Sequence, residues 1–293
     1  MKIDNTDKLK YLERMIQPYV KKNQKKYPIM QFLLGDGKEL SGKFWEQKSS
    51  SRMAYDLYSW MQDDSVVLDF AFEYQLPGLK SGGNGPNMDV YIETQDELIF
   101  IESKFTEKAN LHYKDNGYLK EAYYKDGPYG RNKMGLVKRF HDNQWAKRFS
   151  EFCEEWEKTM ESYHWHEGSD WFEPKQETCH LAGILLFLFN DGNKALIKDK
   201  NIRLYNIYWK LENDKESDMK KSFCEKAQQL INDIVSSNKN LGIRDFKIDA
   251  FTAQEMLKTP GRLSSHIRFP KELCETITKR NEKILDEANI KSR

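Results

Sequence analysis

Three successive segments in residues 66–105 have the pattern of β-strands, and their order restricts the possible folds more than any other feature of the chain. Side chains alternate between apolar and polar from Val66 to Gln75, which is typical of a half-buried strand. The glycine-rich stretch PGLKSGGNGP follows, and then NMDVYIETQDELIFIESKF at 87–105. Its two apolar runs, separated by Gln95 and Asp96, predict a tight hairpin. In the first strand the alternation predicts that one face carries Leu68, Phe70, Phe72 and Tyr74, and the other Asp69, Ala71 and Glu73.

Helical patterns on both sides of these strands predict an α/β fold. Serines can cap a helix at SSSRMAYDLYSWM, whose apolar residues fall on one side. Farther along, the chain alternates between a helix at ETCHLAGILLFLF, a strand at IRLYNIYWK, a helix containing Phe223 and Ile234, and a strand at FKIDAF. A lysine-rich helix ends the chain. Such alternation is typical of a layered α/β core.

Changes in composition divide the chain into three parts. We expect N-terminal helices and the first part of the core in residues 1–105, an inserted helical lobe in 106–175, and the remainder of the core with the C-terminal helix in 176–293. The middle part is rich in tyrosine, glycine and charge up to about residue 135. A helical stripe containing Phe149, Phe152 and Trp156 follows.

Charge and cysteine content exclude several classes of protein. Lys and Arg total 47 against 46 Asp and Glu, so the net charge of +1 provides no overall attraction to phosphate or to membranes. The four cysteines are far apart and form no CxxC pair, which favours reduced thiols. The longest apolar run, at 181–189, is shorter than the ~20 residues that span a bilayer. With no apolar signal segment near Met1, we expect a soluble cytoplasmic protein without membrane contact.

The hairpin predicts two opposed carboxylates. If Gln95 and Asp96 form the turn, Asp89 lies opposite Glu102. Facing like charges are destabilising unless something compensates for them, and a divalent cation would do so. Magnesium prefers carboxylate and carbonyl oxygens together with water, so Asp89, Glu102 and the carbonyl of Ser103 are candidate ligands. Lys104 shares a face with Glu102 and is placed to position an attacking water.

An acidic residue followed two positions later by lysine is not specific by itself, because it occurs six times in this chain. Only the example at Glu102 ends an apolar strand that follows another strand bearing an acid and a glycine-rich loop. The closest rival is Asp245 with Lys247, which follows a predicted helix. The alternative interpretation of Glu102 is an exposed edge hairpin with an ordinary ladder of charges.

These residues carry a family resemblance. NMDVYIETQDELIFIESKF resembles the signature of the PD-(D/E)xK nuclease superfamily, and the order SSSRMAYDLYSWM, FEYQLPG, PNMDVYIE, IESKFTE is similar to a group of restriction endonucleases within it, over roughly residues 40–107. The resemblance implies a restriction-endonuclease-like α/β/α core with a mixed central sheet. It also implies Mg²⁺, for which Mn²⁺ can substitute, with Asp89 and Glu102 as metal ligands and Lys104 as the catalytic lysine. Met88 replaces the proline of the family's name.

Further acidic and imidazole side chains are weaker candidates. Glu73 ends the first strand and is either a third acid at the metal or a solvated strand end, while Glu46 lies on or before the first helix. His164 and His166 have zinc-compatible spacing, but no further ligands complete a site. Cys179 and His180 occupy the helix where related nucleases often have Gln or basic residues, which leaves the roles of both open.

A basic and aromatic segment is a candidate DNA-binding surface. Residues 107–148 contain ten Lys or Arg against five acids, interleaved with tyrosines and glycines, a composition suited to contacts along a nucleic-acid backbone. The alternative is a solvated loop and helix. The candidate contacts are Lys114, Lys120, Lys125, Arg131, Lys133, Lys138 and Arg139.

Taken together, these features favour a metal-dependent restriction-type endonuclease that hydrolyses DNA by a magnesium-activated water. Cleavage of both strands of a palindrome would imply a homodimer. One alternative keeps the chemistry but assigns it to DNA repair or junction processing. Another is a nuclease-fold protein that binds DNA without cleaving it.

Overall fold

The fold is described by a computed structural model that covers Phe32, Phe44 and residues 49–78, 85–105, 144–162, 172–210 and 218–291. Within these ranges the chain order is α1 (Ser50–Tyr58), β1 (Val67–Gln75), β2 (Asn87–Thr94), β3 (Glu97–Lys104), α2 (Gln144–Ser162), α3 (Pro174–Leu188), α4 (Lys194–Ile197), β4 (Asn201–Tyr208), α5 (Asp218–Ser237), β5 (Asp245–Thr252), α6 (Ala253–Lys258) and α7 (Lys271–Lys291). Short 3-10 helices lie at Ser59–Asp63, Asp191–Asn193 and Lys239–Leu241.

The five described strands form one mixed sheet in the order β1-β2-β3-β4-β5. Strand β2 pairs antiparallel with β1 and with β3, and a tight turn at Gln95 and Asp96 connects β2 to β3. Strands β3, β4 and β5 pair parallel. Parallel neighbours need a crossover connection, and α3 and α5 lie within the two connections.

Helices cover both faces of the sheet, which confirms the predicted α/β/α core. On β3, Leu98 and Phe100 belong to a core cluster shared with α2, α3 and α5. Ile99 and Ile101 point the other way, into a cluster shared with α1, α6 and α7. Strands buried on both faces read as continuous apolar runs, as LIFI at 98–101 does here. We call these two sides the α3 face and the α1 face.

Strand β1 departs from the predicted alternation at two positions. Tyr74 stacks on Tyr91 of the α3 face, with ring centroids 4.4 Å apart, whereas Phe70 and Phe72 lie on the α1 face. The prediction that Tyr74 shares a face with Phe72 is therefore wrong. The residue between them, Glu73, has a φ of 49°, which interrupts the regular pleat.

Leu68 is the second departure. It is 63% exposed, because the pairing of β1 with β2 shifts by one residue between Val67 and Asp69. The prediction that Leu68 packs beside Phe70 is therefore also wrong. A period-two pattern cannot reveal such a bulge, since the extra residue changes the facing of its neighbours without changing the composition of the strand.

The described part of the predicted lobe contributes to the core. Phe149, Phe152 and Trp156 of α2 are buried, and the rings of Phe152 and Trp156 contact Phe223 of α5. Residues 106–143 and 163–171 lie outside the described ranges, so the division of the chain at 106 and 175 stays a prediction. Among the described helices, none has the length and apolar character needed to cross a membrane.

Gly183 lets α3 approach the connection between β1 and β2. A Cβ atom at this position would lie 2.9 Å from the Cβ of Leu76 and 3.0 Å from the Cγ of Pro86. These distances are too short for a Cβ atom at position 183 unless the helix shifts, or Leu76 and Pro86 shift. Leu76 and Pro86 are tied to each other by a 2.9 Å backbone hydrogen bond, so neither can move independently.

We predict that Gly183→Ala destabilises the protein by about 1–3 kcal/mol, the usual cost of overpacking. Glycine to alanine within a helix ordinarily stabilises by about 1 kcal/mol, so the close approach reverses the expected sign. Urea unfolding measures the difference. Ser236→Ala, on the exposed side of α5, is the control and should change the free energy of unfolding by no more than about 0.5 kcal/mol. A stabilised Gly183→Ala variant would contradict the packing described.

Candidate active site

The β2–β3 hairpin has the register predicted from its turn. Ile92 pairs with Ile99 and Val90 with Ile101, and one further step along this register reaches Asp89 and Glu102. At that step the carboxylate of Asp89 accepts a hydrogen bond from the backbone N–H of Ser103, with an N···O distance of 2.6 Å. The Asp89 side chain is thereby held against the carboxyl end of β3.

Glu102 and Lys104 lie on the α3 face, as alternation along β3 predicts. Lys104 Nζ is 2.8 Å from Glu102 Oε1. Glu102 is buried, and the side chain of Lys104 is 14% exposed. Asp89, Glu102 and Lys104 line the same cleft, so the structure brings together the three residues selected from the sequence. Their catalytic roles stay predictions.

Gln176, in the first turn of α3, joins the acid and the lysine. Its Oε1 accepts from Lys104 Nζ at 2.8 Å, and its Nε2 donates to Glu102 Oε1 at 2.7 Å. Sequence reasoning missed this residue because it considered only Cys179 and His180 on this helix. A signal was present, since residues four apart on a helix share a face and Gln176 precedes His180 by four positions.

His180 lies between the carboxylates of Glu102 and Glu177. Its Nε2 is 3.8 Å from Glu102 Oε2, and its Nδ1 is 3.7 Å from Glu177 Oε1. Burial by itself would lower the pKa of His180, but the charges of Glu102 and Glu177 outweigh it and raise the pKa above the ordinary value. Sequence reasoning also missed Glu177, whose Oε1 accepts from Asn206 Nδ2 at 2.7 Å.

A cleft of about 440 Å³ opens where β2 and β3 meet the N-terminal ends of α1 and α3. Its charged lining contains four carboxylates and two amines, namely Glu73, Asp89, Glu102, Glu173, Lys104 and Lys175. Burial, followed by the charges of Glu102 and Glu73, raises the pKa of Asp89 well above its ordinary value. The cleft therefore concentrates negative charge that a cation would offset.

The oxygen donors of the cleft fit a hard cation. Magnesium is commonly held by one or two carboxylates while it retains several waters, and Asp89 with Glu102 meets that requirement. Among the described residues, no three Asp, Glu, His or Cys side chains are grouped so as to hold a metal ion. Ligation by Glu73 and by the carbonyl of Ser103 stays a prediction. The left-handed backbone of Glu73 places a strained residue at this cleft.

Of the remaining candidates from the sequence, Cys179 lies within the described residues and the others lie outside them. Cys179 lines the cleft, and burial raises the pKa of its thiol to about 12. A thiol that stays protonated is a poor nucleophile at neutral pH. The candidates outside the described residues are Glu46, His164, His166, Lys114, Lys120, Lys125, Arg131, Lys133, Lys138 and Arg139.

Residues 57–170 match the family model described as restriction endonuclease associating with ARP. The match supports a restriction endonuclease-like family. It spans β1, β2 and β3, and with them Glu73, Asp89, Glu102 and Lys104, and ends before α3. No curated protein and no solved structure matches the chain significantly. The mixed five-stranded sheet between helices agrees with a restriction endonuclease-like fold, and the family suggests a nuclease-like role.

We predict that Asp89→Asn raises the melting temperature of the protein at neutral pH in the presence of EDTA. The folded-state pKa of Asp89 is raised, so the folded protein loses stability as pH rises through that value. Asparagine removes this loss, and its oxygen can still accept from Ser103 N–H. The gain should shrink as pH falls toward the ordinary Asp pKa of about 3.9.

Thermal unfolding at several pH values measures this gain. Asp245→Asn is the matched control, because Asp245 lies on β5, is 57% exposed and pairs with Arg203. Its substitution should leave stability unchanged or reduce it by no more than about 1 kcal/mol. An Asp89→Asn variant that is less stable than the parent at neutral pH would show that the site is not under electrostatic strain.

Proposed function

We propose that this chain is a metal-dependent DNA endonuclease of restriction type with the active-site arrangement of PD-(D/E)xK nucleases. The observation that carries the proposal is the placement of Asp89, Glu102 and Lys104 on one cleft at the carboxyl end of β3. The match of residues 57–170 to a restriction-endonuclease family supports it independently.

Asp89 and Glu102 would hold Mg²⁺, or Mn²⁺ in its place. When bound, the ion would neutralise charge on the scissile phosphate and lower the pKa of an attacking water. Lys104 orients that water toward phosphorus, and its own position is set by Glu102 Oε1 and Gln176 Oε1. The water oxygen bonds to phosphorus as the bond to the 3′ oxygen breaks; the water gives up a proton to solvent, and the 3′ oxygen takes up a proton from solvent. This leaves 5′-phosphate and 3′-hydroxyl ends, as the family resemblance implies.

The proposal extends to partners. DNA is the substrate that the family description implies, and the same description names an association with ARP, so an association of this chain with ARP belongs to the proposal. Two-fold pairing of the chain would place one active site on each strand of a palindrome. Contacts from the basic segment in 107–148 to the DNA backbone, and a cytoplasmic location, also remain proposals.

Purified protein should cleave DNA only when Mg²⁺ or Mn²⁺ is present. The assay uses supercoiled, linear and branched DNA with each metal or with EDTA, and the ends of the products are mapped. Cutting at a defined duplex sequence supports restriction, whereas preference for branched DNA would favour repair or junction processing. Salt-sensitive binding without cleavage would indicate a nuclease-fold protein that binds DNA but does not cleave it.

Lys104→Met should lower the rate of cleavage by about 10²–10⁴-fold, the usual contribution of a group that assists proton transfer or positions the attacking water. Lys247→Met is the matched control. Lys247 also follows an acid by two positions on a strand, but it is exposed and lies near the start of β5. Equal cleavage by the two variants would remove Lys104 from the proposed mechanism.

Metal should stabilise the parent protein without any DNA. A ligand at 100 times its dissociation constant raises the free energy of unfolding by about 2.7 kcal/mol. We therefore expect Mn²⁺ to raise the melting temperature of the parent protein and to have little effect on Glu102→Gln. A metal-induced shift of equal size in both proteins would show that the ion binds elsewhere.

A further inference from the structure

The first two turns of helix α3 carry buried polar side chains, although the rest of the helix is apolar. From Leu181 to Leu188 the side chains are apolar or absent, whereas Glu177 and His180 are only 3% and 2% exposed. Asn206 of β4, 3% exposed, lies beside Glu102 in the parallel register. These three residues form a chain of polar groups that runs from Glu102 toward the interior of the α3 face.

The contacts in this chain run from Asn206 through Glu177 and His180 to Glu102. Asn206 Nδ2 donates to Glu177 Oε1 at 2.7 Å. The same oxygen lies 3.7 Å from His180 Nδ1, and His180 Nε2 lies 3.8 Å from Glu102 Oε2. Lys104 and Gln176 already bond to the other oxygen of Glu102. His180 faces the second oxygen of that carboxylate, Glu102 Oε2.

Such a chain is costly as a purely structural feature. A buried carboxylate carries a desolvation penalty of several kcal/mol, and apolar residues would fill the same space on this helix at lower cost. Within the described residues, His180 Nδ1 and Asn206 Oδ1 have no hydrogen-bond partner. Buried polar groups without a hydrogen-bond partner are rare in native proteins, and a role in catalysis or ion binding is one explanation for them. Outer-shell groups of this kind orient the carboxylates that bind metal ions.

We propose that Glu177 is a positioning residue. Asn206 anchors it to β4, it holds the ring of His180 against Glu102, and His180 fixes the carboxylate of Glu102 in one orientation for the metal ion. This inference rests on the proposed function, because it requires Glu102 to be a metal ligand. It assigns to Glu177 an effect on metal affinity that passes through His180 and not through direct contact with the ion.

The test is a double-mutant cycle on metal affinity, measured with Mn²⁺ by calorimetry in the absence of DNA. Loss of an outer-shell partner typically costs 10–100-fold in metal affinity. We expect Glu177→Gln and His180→Asn each to weaken Mn²⁺ binding within this range. The double variant should be no weaker than His180→Asn alone, because the effect of Glu177 passes through that ring.

Glu97→Gln is the matched control. Glu97 is a buried carboxylate at the opposite end of β3, and it bonds to Arg203 and Ser264. Its substitution should lower the melting temperature without changing Mn²⁺ affinity. If Glu177→Gln does not fold, Asn206→Ser takes its place in the test. This substitution removes the anchor of Glu177 and should also weaken Mn²⁺ binding.

The outcomes separate the two proposals. A Glu177→Gln variant with a lower melting temperature and unchanged Mn²⁺ affinity would overturn the positioning role alone, as would additive losses in the cycle. A parent protein that neither binds Mn²⁺ nor cleaves DNA would overturn both the positioning role and the proposed function. A parent protein that cleaves DNA normally, with metal affinity reduced as expected in the variants, supports both.

Discussion

Repulsion between carboxylates at the carboxyl end of β3 is the constraint on which the rest of the site depends. Burial of Asp89, followed by the charges of Glu102 and Glu73, raises the pKa of Asp89. The protein holds these groups together with directed bonds: Ser103 N–H binds Asp89, while Lys104 and Gln176 bind Glu102. The fold thereby sustains a concentration of negative charge that favours a cation.

The two layers of helices make different contributions to the cleft. On the α1 face, Ser50 Oγ accepts from the N–H of Phe105 at 3.1 Å, which fastens the end of β3 to the start of α1. On the α3 face, Gln176 bonds directly to Lys104 and Glu102. Gly183 allows α3 to lie close to Leu76 and Pro86.

Much of the site could be predicted because its main components are local. Asp89, Glu102 and Lys104 lie within sixteen residues of one another on a single hairpin, where the turn determines the register and alternation determines the face. The partners from α3 could not be predicted in the same way. Gln176 is separated from Glu102 by 74 positions, and its contact exists only after α3 has packed on the sheet. The errors at Leu68 and Tyr74 have a similar origin, because a bulge and one left-handed residue reorient side chains without a signal in the period-two pattern.

The sequence by itself determined the order of the strands and of the longer described helices, the register of the hairpin and the face on which its acid and lysine lie, because these properties follow from residues near one another in the chain. Tertiary structure decided which groups complete the site. It brought Gln176 to Lys104, placed His180 between Glu102 and Glu177, and set Asn206 of β4 against the same helix. These contacts join segments that are distant in sequence, and they depend on how α3 packs across parallel strands, which no local pattern encodes.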